Sequence, residues 1–418
     1  MKINKKITTN VFWLLLEHGI RIGLGLVVAG ILARQLGVEQ YGVFQYALNL
    51  TAIFASVSFI CGAELLVPLL TNADTHQKNK ILGNAFAVRL FFSVMGYLGL
   101  LSYAFLTEPI QVVIVIALIG ISILFSEAFG VVTAWLQSQT NSKPQSILVS
   151  LLLAVKAALI LILWYFEIES IVFYALAYMI EPILIAGGLL FVYKKLNKEW
   201  FFGFSYPVAL ELFKKGLPFF WGLMAMILFT KLDLIMLKKL TNAEELGYFA
   251  AALQVYNNIN ALAPILVMSL APILIYQQDK LAIVKRNIIL ISLFMMGVAL
   301  VGAVVVNMIA PYVVLILFGS SYTSTGAILS SLSWVSCLFF LNQGLNIYLL
   351  KYGLGYWVTL KWLIALVVAV PLYFLLVPMY GSLGAIISSA GGYSVACLIG
   401  TYQLLNKKPP QYAYRARS

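Results

Sequence analysis

Three ionisable side chains stand within five positions of a stretch that is otherwise apolar and rich in glycine. The stretch reads LLLEHGIRIGLGL (residues 14–26) and contains Glu17, His18 and Arg21. On a helix, Glu17 and Arg21 are four residues apart with the acid first, which favours an ion pair, and His18 shares a face with Arg21. Such groups can bind a charged ligand, exchange a proton or neutralise one another. Each charge at the centre of a membrane helix costs about 2.5–3.5 kcal/mol on insertion scales, so the cluster needs a reason.

Similar charges recur in later apolar segments, with equal numbers of each sign. The embedded cations are Arg21, Arg89, Lys156 and Lys231, and the embedded anions are Glu17, Glu127, Glu181 and Asp233. Mutual pairing therefore competes with ligand binding as the reason for their presence. Lys231 and Asp233 are two residues apart, so they point to different faces and are expected to have separate partners. Lys361 lies about one turn inside its segment and is expected to snorkel to the interface.

The composition indicates that membrane helices carry these charges. Hydrophobic residues make up 62% of the 418-residue chain and charged residues only 10%, whereas soluble domains have about 25% charged residues. The net charge of +12 fits cationic loops lying against anionic lipid better than a nucleic-acid surface. Three isolated cysteines (Cys61, Cys337 and Cys397) show no metal or redox spacing. No cofactor motif is present, and none is expected.

A crossing helix needs about 20 apolar residues, and this criterion predicts twelve of them. The first apolar run is too long for a signal peptide, so it is expected to be the first uncleaved membrane helix. The predicted spans are about 11–33, 42–67, 81–106, 110–134, 146–166, 170–193, 217–237, 246–274, 287–309, 326–350, 356–377 and 381–404.

The distribution of basic residues predicts the orientation of these spans. Cytoplasmic loops carry an excess of Lys and Arg. Among the loops, only Arg34, Lys238 and Lys239 fall on the side opposite the N-terminus. Both termini are therefore predicted to be cytoplasmic.

Two short words separated by 205 residues indicate an internal repeat. EQYGVFQYA (39–47) and EELGYFAAA (244–252) each open the second helix of a six-helix half. Halves with six helices enter the membrane in the same orientation, related by a pseudo-two-fold axis along the membrane normal. The predicted fold is an all-α integral membrane protein of two six-helix bundles. Its predicted parts are a bundle (1–193), a basic amphipathic cytoplasmic linker (194–216), a second bundle (217–404) and a basic tail (405–418).

Four longer stretches resemble bacterial polysaccharide (O-antigen) flippases of the Wzx type, within the multidrug/oligosaccharidyl-lipid/polysaccharide exporter superfamily. They are FSYPVALELFKKGLPFFW, KLDLIMLKKLTNAEELGYFAAALQV, ARQLGVEQYGVFQYA and LVPMYGSLGAI. The resemblance covers essentially the whole chain. It implies that the protein flips undecaprenyl-pyrophosphate-linked oligosaccharide across the bacterial inner membrane without ATP hydrolysis. A partnership with the polysaccharide polymerase machinery is a further expectation.

This cargo assigns expected roles to the embedded charges. A lipid pyrophosphate needs fixed cations on its path, and the planar fork of Arg binds phosphate oxygens in pairs. The expected binding residues are Arg21, Arg89, Lys156 and Lys231. Coupling to an ion gradient would use a buried carboxylate, with Asp233 ranked first because no basic neighbour shares its face. The other candidates for coupling are Glu17, Glu127, Glu181 and His18.

Two other classes of protein remain as alternatives. A multidrug/cation antiporter of the same superfamily would favour a more acidic interior than this balanced one. A membrane-embedded polysaccharide polymerase or glycosyltransferase would need a sizeable outer loop to handle sugars, and the predicted outer loops are all short. The expected protein is therefore a transporter and not an enzyme.

Overall fold

A computed structural model describes residues 5–197, 200–278 and 280–406, and in these ranges the protein is helical, with no β-strand. Most of the predicted basic tail (405–418) lies outside the described residues, as do Lys2 and Lys198. Contacts divide the chain into two compact units, 1–227 and 228–418. We call them the first unit and the second unit.

The first unit is built from seven helices and the beginning of an eighth. They are α1 (Lys5–Ala55), α2 (Ala63–Asn72), α3 (Thr75–Thr107), α4 (Ile110–Gly120), α5 (Ser122–Ser138), α6 (Lys143–Tyr165), α7 (Ile171–Asn197) and α8 (Tyr206–Leu240). The boundary between the units falls inside α8. Helix α3 packs against α4 and α5, and α6 and α5 both pack against α7.

Helix α1 contains two helices joined at Gly37, whose φ of 71° and ψ of 176° are not helical. A positive φ is open to glycine without the steric penalty that a Cβ brings. The predicted gap between the first two spans is therefore a single-residue break. The second part of α1 ends at Ala55, well short of the predicted end at residue 67.

Two predicted spans were wrong as single continuous helices. The predicted span 42–67 is interrupted by a 3₁₀ turn (Ser56–Ser58) before α2. The second, 246–274, divides into α9, α10 and a π-helical turn that begins at Pro272. At Pro272 the ring removes a backbone donor and obstructs the preceding turn, whereas no proline lies within the turn Ser56–Ser58. Hydropathy alone registers neither interruption. The predicted span 110–134 lies within one long apolar span, Ile110–Ser138, in which α4 and α5 join at Ile121.

The core of the first unit includes part of the predicted linker. Phe201 is 1% exposed and packs edge-on against Tyr193, with ring centroids 4.9 Å apart. Asn84 accepts a hydrogen bond from the Ser205 backbone N–H (2.7 Å), which fixes the chain just before α8. Gly83 lies so close to the backbone at Phe201 that a Cβ would overlap it. The linker is therefore held against α3.

The exposed part of the linker is basic and aromatic. Trp200, Phe202, Phe204 and Tyr206 are each about half or more exposed, and the Lys194 ammonium lies 4.8 Å above the Trp200 ring. Nearby, the Lys215 ammonium holds the pKa of the exposed Glu211 carboxyl below its usual range through a 2.6 Å hydrogen bond. Aromatic and basic side chains together are typical of segments that lie in the lipid headgroup region.

The second unit comprises the rest of α8 and six further helices. They are α9 (Ala243–Asn260), α10 (Leu262–Ala271), α11 (Leu281–Phe318), α12 (Thr325–Lys351), α13 (Gly355–Tyr380) and α14 (Ser382–Asn406). Helix α11 packs against α12, and α12 and α13 both pack against α14. Ile288, Met295 and Phe340 belong to its buried hydrophobic core.

Ten helical spans within the described residues are long and apolar enough to cross a membrane, with α4 and α5 counted together as Ile110–Ser138. One of them, Phe12–Ser58, includes the break at Gly37. The two repeated words have similar surroundings in the two units. Each follows a residue with a non-helical backbone, Gly37 or Asn242, and the helices that they open end at Ala55 and Asn260.

Candidate functional site

Glu17 and Arg21 form an ion pair on α1, with 2.9 Å between Glu17 Oε1 and Arg21 Nη2. The Glu17 side chain is 5% exposed, whereas that of Arg21 is 53% exposed. Glu17 Oε2 is buried without a hydrogen-bond partner among the described residues. His18 is exposed, and its Nδ1 donates to the Leu14 carbonyl of its own helix (3.0 Å). The Glu17 carboxylate is therefore buried in the protein, whereas the Arg21 guanidinium is accessible.

Arg89 on α3 pairs with Glu127 on α5, with 3.1 Å between Nη2 and Oε2. The arginine side chain is 8% exposed, and its Nε has no partner within the described part of the chain. Gly130, one turn after Glu127, makes room for the guanidinium, because a Cβ there would lie 3.0 Å from Nη1. The Nε–H of the buried Arg89 is therefore a hydrogen-bond donor without an acceptor among the described residues.

Lys156 on α6 and Glu181 on α7 form the third pair, with 2.6 Å between Nζ and Oε2. Both side chains are 13% exposed. The ammonium also lies 4.5 Å from the centre of the Tyr178 ring, where the negative face of the ring attracts a cation. Lys156 is thus held by a carboxylate and an aromatic ring at once.

All three predicted binding cations of the first unit therefore have acidic partners. Arg21, Arg89 and Lys156 pair with the three acids proposed from the sequence as secondary coupling candidates, Glu17, Glu127 and Glu181. The pairs are neutral as units, which lowers the free energy of placing their charges among apolar helices.

Asp233 in the second unit has hydroxyl partners. Its Oδ1 accepts hydrogen bonds from Ser389 Oγ on α14 (2.6 Å) and from Tyr373 Oη on α13. The two hydroxyls also lie within hydrogen-bond distance of each other (2.9 Å). Asp233 is 7% exposed and Tyr373 fully buried. In this setting the hydroxyls of the protein replace water as the hydrogen-bond donors to the buried carboxylate.

Lys231 does not share the pairing seen in the first unit. Its ammonium interacts electrostatically with Asp233, but it forms no salt bridge with any described residue. Of the two side chains predicted to have separate partners, Asp233 has its own, the hydroxyls of Tyr373 and Ser389. Lys231 is half-buried.

The prediction that Lys361 snorkels to the interface was wrong. Its side chain is fully buried in the second unit, and its Nζ donates to Asn342 Oδ1 (2.9 Å) and to Asn346 Oδ1. The Trp362 ring lies 5.1 Å from the ammonium. Asn342 and Asn346 are four residues apart on α12, so their side chains present two carbonyl dipoles on one face. Lys361 lies near the end of its helix but does not extend to the interface, because α12 supplies polar partners within its reach.

Sequence reasoning missed the partners of Asp233 and Lys361. Tyr373, Ser389, Asn342 and Asn346 all lie in predicted spans, and their polar atoms are the signal that was available. Which charge each partner meets depends on how α8, α12, α13 and α14 pack, since these contacts join positions 15–156 residues apart.

Solved transporter structures share this fold. A multidrug resistance MATE family transporter of the MOP superfamily, in an inward-facing conformation, aligns with a TM-score of 0.67 at 13% identity, covering 95% of this chain and 96% of that one. The lipid II flippase MurJ aligns with a TM-score of 0.66 at 13% identity over 98% and 89%. A MOP superfamily transporter from Pyrococcus furiosus aligns with 0.60 at 12% identity over 98% and 100%. At such identities the likeness describes the fold alone.

A family model described as "Polysaccharide biosynthesis protein" matches residues 7–278. No curated protein matches the chain. The family match covers more than half of the sequence and extends from α1 through the π-helical turn after α10. The chain therefore belongs to the polysaccharide biosynthesis protein family, and it shares the fold of solved transporters of the MOP superfamily.

Proposed function

We propose that this protein is a flippase of the Wzx type. It moves undecaprenyl-pyrophosphate-linked oligosaccharide units across the bacterial inner membrane, by alternating access, for O-antigen or a related surface polysaccharide. Membership of the polysaccharide biosynthesis family supports the glycan cargo. The fold that it shares with transporters, one of which is a lipid II flippase, supports movement of a lipid-linked substrate over an enzymatic role.

The observation that carries the proposal is the half-exposed guanidinium of Arg21. It lies within an apolar span, Phe12–Ser58, and its side chain is 53% exposed despite the salt bridge with Glu17. A charge facing lipid at that depth is costly, so such side chains in membrane helices normally face water-filled cavities. A hydrated space beside Arg21 is what a pyrophosphate would need to cross the bilayer.

The embedded cations are the residues proposed to bind the headgroup. They are Arg21, Arg89, Lys156 and Lys231, and in the structure the first three are held by acids. A pyrophosphate carries more charge than a carboxylate and accepts bidentate hydrogen bonds from a guanidinium. The free Nε of Arg89 is an additional donor for it. Binding would thus exchange one anionic partner for another.

Asp233 is the proposed residue for ion coupling. Two hydroxyl groups contact its carboxylate. A sodium ion would bind the carboxylate together with these oxygen atoms, because hard cations prefer oxygen ligands, and a proton would bind the carboxylate directly. Glu17, Glu127, Glu181 and His18 rank below it. The three carboxylates already have cationic partners, and His18 bonds to its own helix.

The proposed membrane arrangement has twelve crossings with both termini in the cytoplasm. It counts α1 as two crossings divided at Gly37, α4 together with α5 as one, and α9 together with α10 as one. The crossings form two six-helix bundles related by a pseudo-two-fold axis along the membrane normal, with the boundaries 1–193, 194–216, 217–404 and 405–418. The repeated words at 39–47 and 244–252 support this symmetry.

The test is flipping in proteoliposomes. The purified protein is reconstituted with a fluorescent undecaprenyl-pyrophosphate oligosaccharide, and a glycosidase added outside measures the exposed glycan over time. The native protein is expected to expose the glycan faster than empty liposomes, and Arg21→Ala to slow it. Arg286→Ala, an exposed arginine on α11, is the matched control. A native rate equal to that of empty liposomes would overturn the proposal.

The same preparation distinguishes the flippase from a multidrug/cation antiporter. Efflux of an organic cation driven by a proton or sodium gradient, with no movement of the lipid-linked glycan, would replace the flippase by that alternative. A polymerase would instead lengthen the glycan, which mass spectrometry of the recovered lipid would detect.

A further inference from the structure

A cavity of about 540 Å³ opens in the second unit where the ends of four helices meet. Its walls come from the start of α9, the start of α12, the end of α13 and the start of α14. By the distribution of basic residues, this end of the unit is the one predicted to face away from the cytoplasm. The volume falls in the range of small-molecule sites.

Glu245 fixes the frame of this cavity. Its Oε1 accepts the Ser382 backbone N–H (2.6 Å), which ties the first turn of α9 to the first turn of α14. Asn242 caps α9 by accepting from the Glu245 N–H (2.8 Å). Gly381 lies against the Glu245 carboxylate at a φ of 53°, and a Cβ there would overlap the carboxylate. Beside the cavity, Thr325 Oγ1 donates to the Tyr248 carbonyl (3.2 Å) and joins α12 to α9.

The lining combines carboxylates, hydroxyls and tyrosine rings. The exposed Glu244 accepts a hydrogen bond from Tyr248 Oη (2.7 Å), and Tyr380 is 55% exposed. Ser324 and Ser331 add hydroxyls. Ser382 also lines the cavity and is 4% exposed, yet its Oγ has no hydrogen-bond partner among the described residues. A buried hydroxyl beside a cavity is normally satisfied by a partner, so this one indicates a ligand or bound water.

We propose that this cavity binds uncharged sugar residues of the transported oligosaccharide. The proposal rests on the flippase function and assigns the glycan a site of its own in the second unit. Carboxylates accept hydrogen bonds from sugar hydroxyls as strong charge-assisted pairs. A tyrosine presents an apolar ring for the C–H face of a sugar and a hydroxyl for its edge.

The negative charge of the lining excludes the pyrophosphate end of the cargo. Glu244 and Glu245 contribute negative charge, and no Lys or Arg is among the described residues that line the cavity. A pyrophosphate or a uronic acid would be repelled there, whereas a neutral or N-acetylated sugar would not. The headgroup cations and this cavity therefore divide the substrate by chemistry.

The test is saturation-transfer NMR on the full-length protein in nanodiscs. The probe is a pool of glucose, galactose, mannose, rhamnose, N-acetylglucosamine and N-acetylgalactosamine, with galacturonic acid added as the anionic member. We expect transfer to at least one neutral sugar and none to galacturonic acid. Ala327→Trp, which fills the cavity from an exposed lining position, is expected to abolish the transfer. Val301→Trp, at a 66% exposed position on α11 outside the lining, is expected to retain it.

A second variant controls for the case in which Ala327→Trp fails to fold. Glu244→Gln keeps the shape and removes the charge, and it is expected to weaken binding about tenfold, as for the loss of one hydrogen bond to a charged group. Equal transfer in native protein and both cavity variants, or no transfer to any neutral sugar, would overturn the site. Binding of Ca²⁺ alone at Glu244, with no sugar signal, would also overturn it and leave a cation site.

Failure of this site is distinguishable from failure of the proposed function. The NMR measurement needs no transport. A protein that flips the lipid-linked glycan in proteoliposomes but shows no sugar transfer overturns the site alone. A protein that binds sugars here but does not flip overturns the flippase and leaves the sugar site.

Discussion

The guanidinium of Arg89 meets the carboxylate of Glu127 across two helices, with 3.1 Å between Nη2 and Oε2 and 38 residues between them in the chain. The pair connects α3 to α5 while cancelling both charges. Glu17 and Arg21 cancel within a single helix. The interhelical pair therefore affects packing as well as charge, and a substitution can separate these effects from substrate binding.

Removing one member of the Arg89–Glu127 pair is expected to destabilise the protein, because the other charge remains buried. Breaking a buried pair costs about 3–5 kcal/mol, and removing both charges costs much less. Arg89→Ala should lower the melting temperature in detergent, and Arg89→Ala with Glu127→Ala should regain most of it. Lys215→Ala, which breaks an exposed pair, should leave the melting temperature unchanged.

The same double variant tests headgroup binding. If Arg89 binds the pyrophosphate, the stable double variant still flips more slowly than the native protein in proteoliposomes. Native flipping by Arg89→Ala with Glu127→Ala would make the pair purely structural and remove Arg89 from the binding site.

Asp233→Asn is expected to abolish the response of flipping to an imposed proton or sodium gradient. The substitution keeps the size of the side chain and an acceptor for Ser389 and Tyr373, but it removes the charge that a cation would neutralise. The measurement compares flipping with and without each gradient. Glu211→Gln, at an exposed site on α8, is the control. A gradient response that survives Asp233→Asn unchanged removes this residue from the mechanism.

Lys361→Met is expected to destabilise the second unit by about 1–3 kcal/mol, since the Asn342 and Asn346 oxygens would lose a buried donor. Adding Asn342→Leu should recover part of the loss by removing one unsatisfied acceptor. Thermal unfolding followed by tryptophan fluorescence is suitable because Trp362 lies beside the ammonium. Lys214→Met, at an exposed position, should have no effect. An unchanged melting temperature in Lys361→Met would contradict the buried site.

Two glycine substitutions are expected to act with opposite signs. Gly381→Ala forces a Cβ into the Glu245 carboxylate at a positive φ, and such backbone strain costs about 1–3 kcal/mol. Gly297→Ala, in α11 with no atom near its added Cβ, should stabilise the helix by about 0.5–1 kcal/mol. Melting temperatures of the two variants test both expectations. Equal shifts would show that the contact between Gly381 and Glu245 is absent.

Local chemistry in this chain could be predicted from the sequence alone. The spacing of Glu17 and Arg21 indicates their pair, and the apolar runs indicate membrane helices. The motifs, read as a resemblance, indicate a polysaccharide flippase of the exporter superfamily. The family model confirms membership of the polysaccharide biosynthesis protein family, and a solved MOP superfamily transporter shares the fold. Each of these features depends on residues that are neighbours on one helix or on sequence words.

Contacts between helices could not be predicted in the same way. Lys156 meets Glu181, 25 residues away, and Asp233 meets Ser389, 156 residues away. Helix breaks were also missed, because the chain from Ser56 to Cys61 is as apolar as the helix before it. Hydropathy measures the preference for lipid and does not report backbone geometry. Which embedded charge meets which partner therefore becomes visible only once the helices are packed.

The ion pairs of the first unit also determine how that unit responds to voltage. Moving one elementary charge through 100 mV changes the free energy by about 2.3 kcal/mol. Glu17–Arg21, Arg89–Glu127 and Lys156–Glu181 each move as a neutral dipole, so rearranging their helices carries almost no gating charge. In the second unit, the embedded Lys231 and Lys361 accompany a single embedded carboxylate, Asp233. While these pairs stay intact and no charged substrate is bound, electrogenic helix movement would therefore arise in the second unit.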